Sequence, residues 1–169
     1  IACGNGAFRP RKLEIDEASH YEGKNLHYFV NNLERFRDHT VAICGGGDSA
    51  VDWALALEPI AKKVSIIHRR PQFRAQEHSV KQLEESSVEI LTPYLPEQII
   101  GNGEKIQSVV LKHAKGEDQI EIPVDDFIVN YGFSSSIGGM KNWGFEVQRN
   151  CIVTNSQMET TLPGVFAVG

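Results

Sequence analysis

The sequence has little cysteine: Cys3, Cys44 and Cys151 are its 3 and stand far apart. There is no C-x-x-C pair and no Cys/His cluster at metal-ligand spacing, which excludes thiol redox chemistry and a zinc site built from this chain. An odd, sparse count suits a reducing compartment, where each cysteine is expected to act as a small packed residue. Positive charge is not in excess either: 17 Lys and Arg face 22 Asp and Glu, for a net charge of −5. That balance argues against nucleic-acid binding, which calls for a basic domain with aromatic platforms. No apolar run reaches membrane-spanning length, and the N-terminus lacks a basic segment followed by an apolar core. The expectation is a cytoplasmic protein that engages no membrane. Internal repeats and low-complexity tracts are absent. The 169 residues, 41% of them hydrophobic, leave room for one domain that folds alone.

What the sequence does contain is Thr40 to Ala50, TVAICGGGDSA. Val41, Ala42 and Ile43 form the continuous apolar run of a buried parallel strand, and Asp48 and Ser49 are suitable N-cap residues for a following helix. A strand, a glycine turn and a helix make a phosphate site. Gly45 is expected to take the tight turn and Gly47 to let backbone N–H groups approach a pyrophosphate, which would then sit at the positive end of the helix. Gly46 lies between them, and Ala50 stands where the third glycine of a G-x-G-x-x-G fingerprint usually stands. Such turns also occur for steric reasons alone, so the following segment decides. A helix over 49–58 ends at Pro59, and a strand over 63–68 completes β-α-β. About 20 residues past the glycines, where an acid would select NAD, the sequence reads His68, Arg69, Arg70, with Arg74 following. Guanidiniums favour the 2′-phosphate of NADP through forked, charge-assisted hydrogen bonds. His68 reads equally as a phosphate contact and as a structural strand end.

The charge distribution agrees. From Ile60 to Lys81 there are 6 Lys or Arg against Glu77 alone, whereas from Gln82 to Asp126 there are 10 acids against 3 lysines. Lys62 and Lys63 read as solvation of a helix end. His20, His27, His39, His78 and His113 show no carboxylate or cysteine partner at ligand spacing and read as solvated or core. Trp53 reads as core, and Cys44 as inert packing beside the turn.

Further along, a helix over 75–86 is expected to bury Val80 and Leu83, followed by a short strand over 88–91. Alternation in 106–111 and 119–122, with turns at Gly101-Asn102-Gly103 and Lys115-Gly116, reads as a three-stranded antiparallel meander. Asp126 to Val129 is again a continuous buried strand, and Gly132 follows it at the edge where ligands of such sheets bind. Cys151 to Val153 reads as a short strand in an otherwise irregular stretch. Residues 9–39 read as a polar connector with an amphipathic turn around Leu33 and Phe36. The two ends, IACGNGAF and LPGVFAVG, read as stubs of buried strands without partners of their own, as in a domain inserted in a larger protein. The fold class is therefore α/β, a Rossmann-like doubly wound parallel sheet with an antiparallel three-stranded meander as crossover.

The stretch GGGDSAVDWALALEPIAKKVSIIHRRPQFRAQE resembles the NADPH domain of thioredoxin-reductase-like flavoproteins, with their GGG(D/N)(S/T)A turn and HRRxxFRA strand end. IACGNGAF is similar to the ATGxx turn of the family's FAD domain, and PGVFAVG to its PG(V/I)FAxGD segment. Thioredoxin reductases proper carry a C-x-x-C pair before the GGG turn; the corresponding place here is HYFVNN, residues 27–32, without cysteine, which excludes dithiol exchange. With SSVEILTPY, NYGF and WGFEV, the chain resembles bacterial ferredoxin (flavodoxin)-NADP reductases of thioredoxin-reductase type.

The resemblance implies a stub and connector over 1–25, an NADPH-binding domain over 26–155 and a return stub over 156–169. It implies NADP(H) bound by this domain, at Gly45, Gly46, Gly47, Asp48, Ser49, Ala50, His68, Arg69, Arg70 and Arg74, with Gly132 towards the nicotinamide. FAD is expected in the full-length protein, with ferredoxin or flavodoxin as acceptor, a homodimeric assembly, and rotation of this domain against its FAD partner. No acid or base of this chain is expected to be catalytic. Two other readings stay open: a thioredoxin reductase homologue feeding another acceptor, and a non-catalytic NADP-sensing module.

Overall fold

The computed structural model describes residues 1–4, 9–134 and 137–168. The chain divides into two compact units, Lys12–Tyr131 and a second made of Ile1–Arg11 with Gly132–Gly169. In chain order the strands and helices are β1 Arg9–Pro10, α1 Ala18–Tyr21, β2 Leu26–His27, β3 Thr40–Cys44, α2 Asp48–Leu57, β4 Lys63–Ile67, α3 Glu77–Glu85 and β5 Glu89–Leu91. They continue as β6 Tyr94–Gly101, β7 Ile106–His113, β8 Gln119–Pro123, β9 Asp126–Val129, β10 Phe133–Ser134, β11 Val147–Gln148 and β12 Cys151–Ile152.

The larger unit is built on a five-stranded parallel sheet in the order β2-β9-β3-β4-β5. Alternate residues of its central strands face opposite ways, and both faces are covered, hence the unbroken apolar runs. Val41, Ile43, Val64, Ile66 and Ile128 pack with Ala50, Val51, Ala54 and Leu57 of α2 and Leu83 of α3. Ala42, Cys44, Ile67, Phe127 and Val129 pack against Ile99, Ile106, Val109 and Leu111 of the meander. The antiparallel sheet β6-β7-β8 lies in the chain between β5 and β9, so it is the crossover of the parallel sheet. Burial of each fully enclosed side chain such as Leu57 or Ile66 contributes about 1.5–3 kcal/mol.

Helix α2 owes its form to buried positions 50, 51, 54 and 57, which recur on one face of a 3.6-residue turn. Leu83 of α3 is fully buried and Val80 partly so. Residues 12–28 are more than a connector. Leu13, Ala18, Tyr21, Leu26 and Tyr28 are buried, and Leu26 and His27 pair with Phe127 and Ile128 as an outer strand of the parallel sheet. Asn25 secures this segment, donating from Nδ2 to the Ile106 and Asp125 carbonyls and accepting the Ile106 N–H. Elements of 4 and 2 residues carry no readable periodicity, which is why this part of the sheet was not foreseen.

In the smaller unit β1 pairs with β10 and β11 with β12, both antiparallel. Its terminal segments partner each other, contrary to expectation: the Ile1 ammonium donates to the Phe166 carbonyl at 2.5 Å and the Val168 N–H to the Ile1 carbonyl at 2.9 Å. They are not buried strands, since Phe166 is 50% and Val168 54% exposed, and pairing there is limited to isolated bridges such as Glu159 with Phe166. Asn5 to Phe8 of IACGNGAF and the final Gly169 lie outside the described residues.

Candidate functional site

The candidate site is the C-terminal edge of β3 and β4. The glycine turn is set by close approach and not by left-handed backbone: none of Gly45, Gly46 and Gly47 has a positive φ. A Cβ on Gly45 would stand 2.6 Å from the Asn130 carbonyl oxygen and 2.9 Å from the Ala50 Cβ, so this glycine and the small Ala50 together let α2 pack onto the strand ends. A Cβ on Gly46 would lie 2.3 Å from the His68 ring. At Gly47 nothing stands within 4 Å of a Cβ position, so this side of the turn is open.

Gly47, and neither Asp48 nor Ser49, is the N-cap of α2, and no side chain caps the helix. Asp48 is the first helical residue, and its Oδ1 accepts the Gln76 N–H at 2.8 Å. Once the chain turns at Gly47 the Asp48 side chain faces the loop before α3, where an unpartnered N–H competes for it. The first-turn N–H groups of α2 are thereby left without a side-chain acceptor from this chain, as an anion site at a helix N-terminus requires. The Ser49 carbonyl receives the Asn130 Nδ2 at 3.5 Å.

The loop after β4 is tied to the glycine turn. The Arg74 N–H donates to the Gly46 carbonyl at 2.6 Å, and the Gly45 N–H to Ile67 at 3.0 Å. His68 is 7% exposed; its ring lies against Gly46 and stacks on Phe73 with centroids 5.5 Å apart and planes 26° from parallel. Its imidazole is held below the ordinary 6.5, first by burial and then by Arg69, Arg74 and Arg70, with an opposing hydrogen bond to the Gln72 backbone. Arg69, Arg70 and Arg74 are exposed, and none of these guanidiniums forms an ion pair or hydrogen bond among the described residues. Elsewhere cations such as Lys12, Arg37, Lys63 and Lys112 have carboxylate partners.

The structure thus brings Gly45 to Ala50 together with His68 and Arg74, and places Arg69 and Arg70 directly after His68. Gly132 belongs to the other unit, where it has φ +83° and its carbonyl accepts the Arg11 N–H. Sequence reasoning missed Asn130, Phe73 and Gln76. Asn130 was findable, because it directly follows β9 at the edge where such sheets bind ligands. Cys44 is buried and donates to the Tyr131 hydroxyl at 3.3 Å; burial pushes its thiol up to about 12, in keeping with inert packing. Two histidines share a partner that their sequence spacing does not reveal, since His27 Nε2 and His39 Nδ1 lie 2.6 and 2.7 Å from the oxygens of one carboxylate, Asp126. That partner is remote in sequence, beyond the reach of a spacing argument. Among the described residues no group of three or more His, Cys, Asp or Glu could hold a metal, and no helix is long and apolar enough to cross a membrane.

The family model for pyridine nucleotide-disulphide oxidoreductases matches residues 1–169. A protein named ferredoxin--NADP reductase 2 from Bacillus subtilis is 59% identical over 169 residues, and its namesake from Listeria welshimeri 56%, with 51% of each relative covered. The chain therefore spans about half the length of the curated relatives it matches. Among solved structures, Lactococcus lactis thioredoxin reductase superposes over 100% of this chain and 55% of its own, with TM-score 0.84 and 33% identity. T. acidophilum thioredoxin reductase, at 22% identity and TM-score 0.85 over 97% of this chain and 55% of its own, shares the fold. With its glycine turn, parallel sheet and meander, the chain belongs to the pyridine nucleotide-disulphide oxidoreductase family.

Proposed function

We propose that this chain is the NADPH-binding part of a ferredoxin (flavodoxin)-NADP reductase of thioredoxin-reductase type. The observation that carries the reading is the cluster of exposed guanidiniums at 69, 70 and 74, unpaired among the described residues, beside a glycine turn that opens a helix. A like-charge group of this kind, in a chain of net charge −5, is uncompensated until an anion arrives. The pyrophosphate fits the open side of Gly47 and the first turn of α2, and the 2′-phosphate fits Arg69, Arg70 and Arg74. These residues bind and orient; the nicotinamide supplies the hydride and the flavin of the full-length protein passes its electrons on singly.

In this reading residues 1–25 and 156–169 belong with the flavin domain of the full-length protein. The names of the relatives support ferredoxin as acceptor, and a homodimeric full-length protein in the cytoplasm completes the proposal. Neither dithiol exchange nor a resident metal enters it.

The test is calorimetric titration of the full-length protein with NADPH and with NADH. NADPH binds far more tightly, and Arg69→Ala and Arg70→Ala each cost about 1.5–3 kcal/mol, or about tenfold or more in NADPH affinity, while NADH binding hardly changes. Equal affinities for the two nucleotides, or unaltered NADPH binding in both variants, would overturn the assignment.

A further inference from the structure

Among the described residues, Nε2 of His68 is the one buried side-chain polar atom without a hydrogen-bond partner. A buried ring nitrogen without a partner carries a desolvation cost that native structures seldom leave in place without a use. Its surroundings are asymmetric. Gly46 covers the ring on the turn side and Phe73 stacks on it. The β5–β6 segment is bonded to it through the main chain, with the His68 N–H donating to Leu91 and the Tyr94 N–H to the His68 carbonyl. The acid that α2 brings to this end, Asp48, is engaged by the Gln76 N–H. The charged groups acting on the imidazole are therefore Arg69, Arg74 and Arg70, all of one sign. In the free protein both burial and these guanidiniums favour the neutral ring.

We propose that His68 takes up a proton from solvent as the 2′-phosphate of NADPH binds, so that the preference of this loop for NADPH over NADH strengthens as pH falls. This rests on the assignment of the arginines to that phosphate. A dianionic phosphate among the guanidiniums cancels the field that disfavours the imidazolium, and its oxygens supply acceptors for the second ring N–H. Both effects raise the affinity of the ring for a proton. By linkage, the imidazolium then raises the affinity of the site for the phosphate. The sign is definite: the gain is absent well above the bound-state value and grows as pH falls through it towards the lower free-state value. His68 thus acts as a positioning and proton-linked specificity residue, and the arginines remain the principal phosphate ligands.

The experiment counts protons. Full-length protein is titrated with NADPH by calorimetry at about pH 6.5 in buffers of different ionisation enthalpy, in wild type and His68→Phe, where Phe keeps a ring between Gly46 and Phe73 without titrating. Protons released by the ligand phosphate enter both counts, and the difference between the proteins reports His68 together with its coupling to that phosphate. Wild type takes up more protons per NADPH than the variant, and this difference vanishes with NADH. Equal proton counts in wild type and variant overturn the proposal. Loss of selectivity between NADPH and NADH in wild type overturns the underlying assignment instead. Should the variant not fold, NMR titration of the wild-type His68 ring decides: its midpoint moves up when NADPH is added, and a midpoint that stays or moves down refutes the linkage.

Discussion

The two ends of the parallel sheet treat charge in opposite ways. At the N-terminal end of β9 the Asp126 carboxylate, 3% exposed, accepts hydrogen bonds from His27 and His39 at 2.6 and 2.7 Å. At the C-terminal end of β4 the guanidiniums of Arg69, Arg70 and Arg74 stand exposed without an acid among the described residues. At the first end charge is satisfied within the chain and serves the fold. At the second it has no partner among the described residues, which is the condition the proposed phosphate site needs. The contrast separates charge that serves the fold from charge that the fold leaves open.

The largest expected effect breaks the satisfied end. Asp126→Ala leaves the buried His27 without its acceptor and costs about 3 kcal/mol or more of stability, read from urea unfolding, while the folded protein still binds NADPH. A shift under about 0.5 kcal/mol would show that the buried carboxylate is not structural. Gly46→Ala strikes the other end. The new Cβ collides with the His68 ring, so about 1–3 kcal/mol of strain appears and NADPH affinity falls about tenfold or more. Retained affinity would mean that turn and arginine loop are not coupled through that ring.

Acid sharpens the comparison, because each end has its own window. Burial pushes the Asp126 carboxyl up, but the His27 and His39 hydrogen bonds outweigh it and hold it below 3.8. Its stability contribution is therefore present above 3.8 and is lost as pH falls through the folded value. His68 is held below 6.5 in the folded chain, so its contribution is full above 6.5 and is lost as pH falls from there towards the folded value. In thermal melts against pH, His68→Phe removes the earlier loss and leaves the later one; identical profiles would contradict the separation. The smallest effect is chemical. With its thiol pushed up to about 12, Cys44 resists alkylation under mild alkaline conditions in which the exposed Cys151 reacts. Comparable labelling of both cysteines by mass spectrometry would refute this.

The sequence made the strands β3, β4 and β9, the helices α2 and α3 and the meander readable, because their apolar periods are long and bounded by glycine or proline. The arginines were readable because they stand where the ribose-binding residue of such folds stands. What stayed hidden depends on contacts between remote positions. Asp126 with His27 and His39 spans much of the chain, the Asp48 bond to Gln76 displaces the expected cap, and Leu26 and His27 join the sheet on the strength of partners and not of pattern. The glycine turn before a helix was readable, but its crowding by Asn130 and His68 cannot be read from a local motif.

The hydrogen bond from Arg74 to the Gly46 carbonyl is a main-chain bond. Its consequence concerns evolvability: the loop is fastened to the turn through an atom that every residue except proline possesses. Position 74 can therefore exchange its side chain without releasing the fastening. Under the proposed function, a lineage or an engineer can rewrite the nucleotide preference of this edge one side chain at a time while its geometry is inherited unchanged.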